Sequence, residues 1–405
     1  MNICFDTFGC RLNRAEALDD EARSLAKGHK IVDFHAEADL IVVRGCSVTA
    51  RAQRDCESLI AHIQEKYPAK RIFVTGCLPN AKKLDITTLS RRGGEEKCET
   101  PVPVRTARAY LKVQDGCSRG CTFCIVPKFR GAPVSVPFGE VVDRARRFID
   151  AGYRELVVTG CNLSLYSSEG RGLPELAAEL ASLSRDCRVR IGSVEPGPTA
   201  RELVHAMADN ERICRSLHLS VQSGSDRILA AMRRTYTAKD LDAIADEAVR
   251  AMPLVALGCD IIAGFPGEME TDFRLTKGFL SRHVFSNVHV FPFSERPGTL
   301  AAAMIEGKVA KELRHARARE LAEIGSESRR RFAKHFVGRT VEVVVEKSSP
   351  VSGWTGEYLW FECSQSAVGA TAGSDSRSLR KQKLAFKVRS AHGGQLYGEI
   401  CGNGG

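Results

Sequence analysis

Cys117-Ser118-Arg119-Gly120-Cys121-Thr122-Phe123-Cys124 is the stretch that decides the fold. Three cysteines spaced CxxxCxxC in one loop can wrap an iron–sulfur cubane and leave one iron without a protein ligand. Structural zinc is the alternative, but it usually takes four protein ligands, often as two CxxC pairs. This chain has a single CxxC, Cys121 to Cys124, and no HExxH. The loop follows an apolar run, Tyr110 to Gln114, that reads as a strand. Further strands are expected at Glu155 to Thr159, Arg188 to Ser193, Leu217 to Val221, Ala256 to Ala263 and Val288 to Phe293. Helical periodicity fills most of the intervals, which predicts a partial or complete (β/α) barrel. Polar residues gather after these strands, at the face where such barrels keep their active sites. They include Gly160, Cys161, Asn162, Glu195, Gln222 and Ser223.

Upstream, Ile3 to Thr7, Leu40 to Val43 and Ile72 to Thr75 alternate with amphipathic stretches at Glu16 to Ala26 and Thr49 to Tyr67. That alternation predicts a small parallel α/β sheet. A Gly-Cys pair follows each of the three strands: Gly9-Cys10, Gly45-Cys46 and Gly76-Cys77. Parallel strands point the same way, so the three thiols should emerge at the carboxyl edge, where open α/β sheets bind ligands. Any one of these cysteines could be buried packing. Three in the same context favour metal or cluster ligation, with a fourth coordination position left open.

Downstream, Lys308 to Phe336 has helical composition, after which the period switches to alternation at Val341, Val343 and Val345. Tyr358 to Phe361 and Leu384 to Val388 read as further strands of a small OB-like β-barrel. Lys308 to Arg389 carries 17 basic and 9 acidic residues, within a chain of formal net charge +10. Basic residues with exposed aromatics on such a barrel suit unpaired bases; the alternative is an interaction module with Trp354, Trp360 and Phe361 in its core. The whole chain has 405 residues, 43% hydrophobic and 27% charged, which is globular composition. No apolar run could span a bilayer and no export signal is apparent, so a cytoplasmic location without membrane insertion is expected. Fifteen cysteines in a reducing compartment point to thiolate ligation rather than disulfides.

The CxxxCxxC loop at the head of a (β/α) barrel resembles the radical S-adenosylmethionine superfamily, and the upstream Gly-Cys sites resemble its methylthiotransferase branch. Thr7-Phe8-Gly9-Cys10-Arg11-Leu12-Asn13, Cys46-Ser47-Val48-Thr49 and Thr75-Gly76-Cys77 fall where that branch carries its N-terminal ligands. Gln114-Asp115-Gly116-Cys117, Leu219 to Ser225, Asp260 to Glu268 and Phe293 to Thr299 match its core. The resemblance implies an N-terminal domain over 1–104, a radical S-adenosylmethionine partial barrel with a trailing helix over 105–336, and an antiparallel TRAM-like barrel over 337–405. It implies two [4Fe-4S] clusters, one on Cys117, Cys121 and Cys124 and one on Cys10, Cys46 and Cys77. By position, Phe123, Gly160, Ser193, Glu195, Gln222, Ser223, Arg233 and Asp260 are expected around S-adenosylmethionine.

The implied activity is insertion of a methylthio group on carbon, through a 5′-deoxyadenosyl radical and a methylated sulfur. The implied partners are a tRNA anticodon stem-loop and an electron donor such as flavodoxin or ferredoxin, with a monomer expected. Cys10 to Glu16 and Cys46 to Ala52 resemble the group acting on threonylcarbamoyl-adenosine more than the group acting on isopentenyl-adenosine. A ribosomal-protein aspartate is the other substrate of the branch, and a non-catalytic RNA-binding protein with structural zinc is the reading of another class. Three departures stand out: Arg44-Gly45 where Asn-Thr is common, a short Cys77 to Ala109 connection, and Glu295 where proline is frequent.

Overall fold

The computed structural model describes residues 1–78, 106–363 and 379–401. The linker expected at Arg91 to Gly94 and Pro101 to Pro103, and with it the 104/105 boundary, lie outside the described residues. The chain opens with β1 (Asn2–Thr7), α1 (Arg11–Ala26), β2 (Lys30–Ile31), β3 (Leu40–Cys46), α2 (Ala50–Lys66) and β4 (Arg71–Cys77). The four strands form an all-parallel sheet in the order β2-β1-β3-β4. β3 is buried along its whole length, as a parallel strand covered on both faces must be, and so it reads as a continuous apolar run. It extends beyond Val43 through the Gly-Cys pair, and β4 does the same. Cys46 and Cys77 therefore sit opposite each other as the last paired residues of neighbouring strands.

The middle of the chain supplies β5 (Ala109–Lys112), β6 (Gln114–Asp115), α3 (Val126–Arg130), β7 (Val134–Ser135), α4 (Phe138–Asp150) and β8 (Glu155–Thr159). It continues with α5 (Leu173–Ser182), β9 (Arg188–Ile191), α6 (Pro198–Asp209), β10 (Ser216–Gln222), α7 (Asp226–Ala231) and α8 (Ala238–Ala251). β11 (Ala256–Ala263), α9 (Glu270–Arg282), β12 (Phe285–Pro292), α10 (Leu300–Ala303) and α11 (Lys311–Lys334) complete it. β5-β8-β9 and β10-β11-β12 are two parallel triplets, bridged at Val189–Ile213 and Val194–Leu219. Six strands thus make a partial barrel.

Residues Leu111, Leu156, Val158 and Val189 face the outer helices through Val141, Ala145, Leu176 and Leu203. The opposite face of β5 and β8, at Tyr110 and Val157, packs on Ala15 and Leu18 of α1. The strand expected over Tyr110 to Gln114 breaks at Val113, because Gln114 and Asp115 leave β8 to pair with Ser135 and Val134. That small hairpin forms the base of the cysteine loop.

The last strands are β13 (Thr340–Ser348), β14 (Val351–Thr355), β15 (Trp360–Cys363), β16 (Lys383–His392) and β17 (Gln395–Ile400). They close a barrel in the order β13-β14-β15-β17-β16. The barrel is not wholly antiparallel as expected: β15 and β17 run parallel, because the chain crosses over β16 to close the ring. No helix among the described residues is long and apolar enough to cross a membrane.

Of the three aromatics that the interaction-module alternative puts in the barrel core, Trp354 and Trp360 are only half-buried. Phe361 is in the barrel core. Trp354 stacks on Tyr358 at 4.6 Å, Arg108 lies over Trp354 at 5.4 Å, and Arg190 and Arg11 lie over Tyr358 at 4.9 and 5.0 Å. This turn therefore abuts the amino ends of β8 and β9. Arg188 and Arg190 donate to the carbonyls of Trp354, Thr355 and Gly356 while also binding the buried carboxylate of Glu155. Arg108 pairs with Glu346 at 2.6 Å and approaches Glu155 at 3.7 Å.

Burial opposes ionisation of Glu155, but Arg190, Arg188 and Arg108 outweigh it and hold the carboxyl well below its usual 4.5. Glu155→Gln leaves three arginines short of their anion and should cost about 3 kcal/mol or more at pH 7. A depressed folded pKa gives stability that is full above 4.5 and is lost as the pH falls below it toward the folded value. Denaturant midpoints of wild type and Glu155→Gln should therefore converge between pH 7 and pH 3; a gap that stays constant would contradict the assignment.

Candidate functional site

Gly9 and Gly76 have φ of +91° and +92°. A Cβ at Gly9 would fall 2.6 Å from Cβ of Cys46, and one at Gly76 would fall 2.5 Å from the carbonyl of Gly45. Glycine before the cysteine thus serves two needs, a left-handed backbone and close approach of the loops. Asn13, one helical turn after Cys10, donates to the carbonyls of Phe8 and Gly45 at 2.8 and 2.9 Å and ties two of the loops together. Cys10, Cys46 and Cys77 consequently converge: burial pushes the Cys46 thiol up to about 11, and charge on Cys10 and Cys77 adds to the rise.

The second triad is built by the loop between β6 and α3. Cys117 N–H donates to Gly131 O at 3.1 Å and Cys124 N–H to Cys121 O at 3.1 Å. Thr122 anchors the loop on the end of α7 through Met232 O and Ala231 O. Burial, then charge on Cys121 and Cys117, raises Cys124 to about 11. In each triad the neighbouring thiols thus add to the rise at the buried one, Cys46 or Cys124. A bound cation would reverse that penalty by replacing the protons, so the donor sets suit a thiolate-ligated metal group.

Buried guanidinium groups stand beside both triads. Arg234 donates to Cys121 Sγ at 3.0 Å and pairs with Glu195 at 3.1 Å. Arg130, at the end of α3, donates through Nε to Cys77 Sγ at 3.0 Å. Its other nitrogens reach Asn13, Glu16 and Asp115 at 3.0, 2.8 and 3.1 Å. Burial alone would raise Glu16, but Arg130, Lys112 and Arg44 bring it down to about 2. Arg44, the departure at the second N-terminal strand, is thereby explained: it pairs with Glu16 at 2.7 Å and with Asp20.

Beside Cys124 lies a cavity of about 250 Å³ that extends to the loop just past Cys46. Val48 and Thr49 from the N-terminal sheet, Phe123 and Cys124 from the barrel loop, and Gln222, Asp260 and Phe293 from strand ends line it. Ala50 N–H donates to Ser294 Oγ at 3.0 Å across the same junction. A depression of about 420 Å³ on the other side of Glu195 holds no cysteine.

Of the other expected positions, Gln222 ends β10 with φ +68° at the cavity wall. Gly160 lies against Gln114, and Ser193 is exposed. Glu195 forms ion pairs with Arg119 and Arg234 and accepts a hydrogen bond from the Asn162 amide. Ser223 is buried and hydrogen-bonds Ser225 N–H just before α7. Arg233 takes a left-handed turn conformation, and the guanidinium at the cysteines belongs to its neighbour Arg234. Asp260 accepts from His289 and lies 3.1 Å from His218. Cys161 approaches Asp115 at 3.2 Å. Arg130, Arg234, Glu16, His218 and His289 escaped the sequence reading; the one available signal was Arg130's place a short helix beyond Cys124.

Comparison with known proteins agrees with this geometry. Residues 111–280 match the Radical SAM superfamily, and residues 2–93 match the model described as uncharacterized protein family UPF0004. The Threonylcarbamoyladenosine tRNA methylthiotransferase MtaB of Aquifex aeolicus is 30% identical, covering 85% of this chain and 93% of its own. Its namesake in Thermotoga maritima is 31% identical over 99% of both chains.

The chain belongs to the radical S-adenosylmethionine methylthiotransferase family. Another relative, the tRNA-2-methylthio-N(6)-dimethylallyladenosine synthase of Cereibacter sphaeroides, is 33% identical over 86% of this chain and 88% of its own. A radical S-adenosylmethionine methyltransferase from Kitasatospora setae, solved with its tryptophan substrate and an S-adenosylmethionine analogue, shares the fold at TM-score 0.52 and 13% identity, covering 74% of this chain and 75% of that one.

Within this methylthiotransferase Arg130 joins the two cysteine triads. Arg130→Met should lower stability by about 2 kcal/mol by leaving Glu16 and Asp115 short of a cation, while Arg130→Lys recovers part of it. A thermal shift of both variants checks this; an unaltered melting temperature for Arg130→Met would count against the junction.

Proposed function

We propose that the protein inserts a methylthio group at carbon 2 of threonylcarbamoyl-adenosine beside the tRNA anticodon. The observation that carries this reading is the pair of cysteine triads joined by Arg130, which ends the helix after one triad and donates to a thiol of the other, next to a cavity lined by Cys124 and by Val48 and Thr49 just past Cys46. Each triad fits a [4Fe-4S] cluster with one iron unligated by protein. Bound at Cys117, Cys121 and Cys124, such a group supplies reductive cleavage of S-adenosylmethionine, and at Cys10, Cys46 and Cys77 it carries the sulfur to be inserted.

The chain's own residues supply charge balance and placement. Arg234 and Arg130 offset thiolate charge at Cys121 and Cys77. Phe123 presents a ring beside Cys124 for stacking on adenine, with Gly160, Gln222 and Glu195 around the same loop. Apolar residues of the cavity exclude water, which protects a reactive carbon radical. An external one-electron donor, such as flavodoxin or ferredoxin, and a cytoplasmic location complete the reading. The tRNA assignment is supported by the relatives in Aquifex aeolicus and Thermotoga maritima, whose names specify threonylcarbamoyladenosine. The Cereibacter sphaeroides relative, named for dimethylallyladenosine, supports the alternative.

Mass spectrometry of tRNA nucleosides from a strain lacking this gene should show loss of the methylthio form of threonylcarbamoyl-adenosine, and an unchanged nucleoside profile would refute the assignment. Anaerobic reconstitution should load about eight irons, and about four in the combined Cys10→Ala, Cys46→Ala and Cys77→Ala variant. A colourless zinc protein would instead support the non-catalytic RNA-binding reading.

A further inference from the structure

We infer that His289, held by Asp260 and backed by His218, is the specificity-determining contact for a polar N6-substituent on the substrate adenosine; this rests on the tRNA reaction proposed above. Three adjacent strands bring these residues together. Asp260 of β11 is the register partner of His289 on β12. His218 of β10 is paired with Gly258, where a Cβ would fall 2.5 Å from its Nδ1. Only a glycine there leaves room for the imidazole to lie beside Asp260. Asp260 Oδ1 stands 3.1 Å from Nε2 of His218 and 3.1 Å from Nδ1 of His289.

The three groups grade from wall to opening. Side-chain exposure is 11% for His218, 20% for Asp260 and 47% for His289. Nε2 of His218 is buried without an aligned hydrogen-bond partner. The Asp260 to His289 contact is aligned, which orients the outer imidazole. The far nitrogen of His289 meets the Asn287 amide at 2.7 Å on the exposed side. His289 therefore presents a fixed polar edge beside Asp260, which itself lines the cavity.

The surrounding wall is apolar, with Phe123, Ile125, Ile262, Phe291 and Phe293. A branched hydrocarbon substituent would suit those residues but would strip water from Asp260, His289 and Asn287 and offer them no hydrogen bond of its own. Desolvating polar groups with no new hydrogen bond in return is costly. A threonylcarbamoyl substituent offers ureido N–H groups, a hydroxyl and a carboxylate to that edge. Sites built to hydrogen-bond a substrate discriminate strongly against an analogue that lacks the groups, whereas apolar pockets discriminate weakly.

The test uses the reconstituted full chain and two anticodon stem-loop RNAs, one with threonylcarbamoyl-adenosine and one with isopentenyl-adenosine. Wild type should favour the first by about 100-fold or more in kcat/KM. His289→Phe, which keeps a ring and removes both nitrogens, should cut that ratio by at least about tenfold, and His289→Gln should restore part of it. Iron content and RNA-independent formation of 5′-deoxyadenosine should stay unchanged in both variants, which separates a specificity role from damage to the fold.

An unaltered ratio in His289→Phe, or an equal fall on both RNAs, would overturn the inference. So would a stoichiometric non-iron metal lost with His289, since the three ligand atoms lie within 4.8 Å of one another. Wild type active on the isopentenyl RNA alone would overturn the substrate reading itself, and it would show before any substitution is made.

Discussion

A single guanidinium holds the two halves of the chemistry together. Arg130 lies one short helix beyond Cys124, yet its nitrogens bind Cys77, Asn13, Glu16 and Asp115. An arginine is suited to this because its planar fork satisfies several acceptors at once and stays charged under burial. Asn13 in turn holds the Phe8 and Gly45 carbonyls, so the cation reaches two of the three N-terminal loops through one intermediary.

The opposite end of the partial barrel is closed by the same physics with the signs arranged differently. Three arginines converge on one buried glutamate; Arg188 and Arg190 spend their remaining donors on backbone carbonyls of the C-terminal barrel, and Arg108 binds the Glu346 carboxylate. Trp354 and Tyr358 then cover those guanidinium groups as stacked rings. Aromatic residues around a short turn look alike in sequence whether they stack on bases or on arginines. Here the cations come from strands far upstream, which no local pattern could disclose.

Element identity was largely legible. Glu155–Thr159 and Ala256–Ala263 were bounded correctly because buried parallel strands are predominantly apolar, broken in the second only by Asp260. The Gly-Cys pairs were legible as a site because the spacing repeats, and the structure adds the steric reason at Gly9 and Gly76. Short strands were not legible. Val134–Ser135 and Gln114–Asp115 owe their existence to each other and carry no periodicity of their own. Arg233 and Arg234 are adjacent in sequence, and only the left-handed turn at Arg233 decides which guanidinium meets Cys121.

From the sequence alone came the donor chemistry: three thiols in one loop, three more behind glycines, and a basic C-terminal barrel. Ligand type and spacing are local properties, so they survive being read along a line. The tertiary structure alone decided which charges neutralise which thiols, where the cavity lies, and that His218, Asp260 and His289 form one polar edge. Those residues are contributed by three separate strands, and parallel pairing across crossover helices brings distant positions into one row without leaving any trace in nearest-neighbour order.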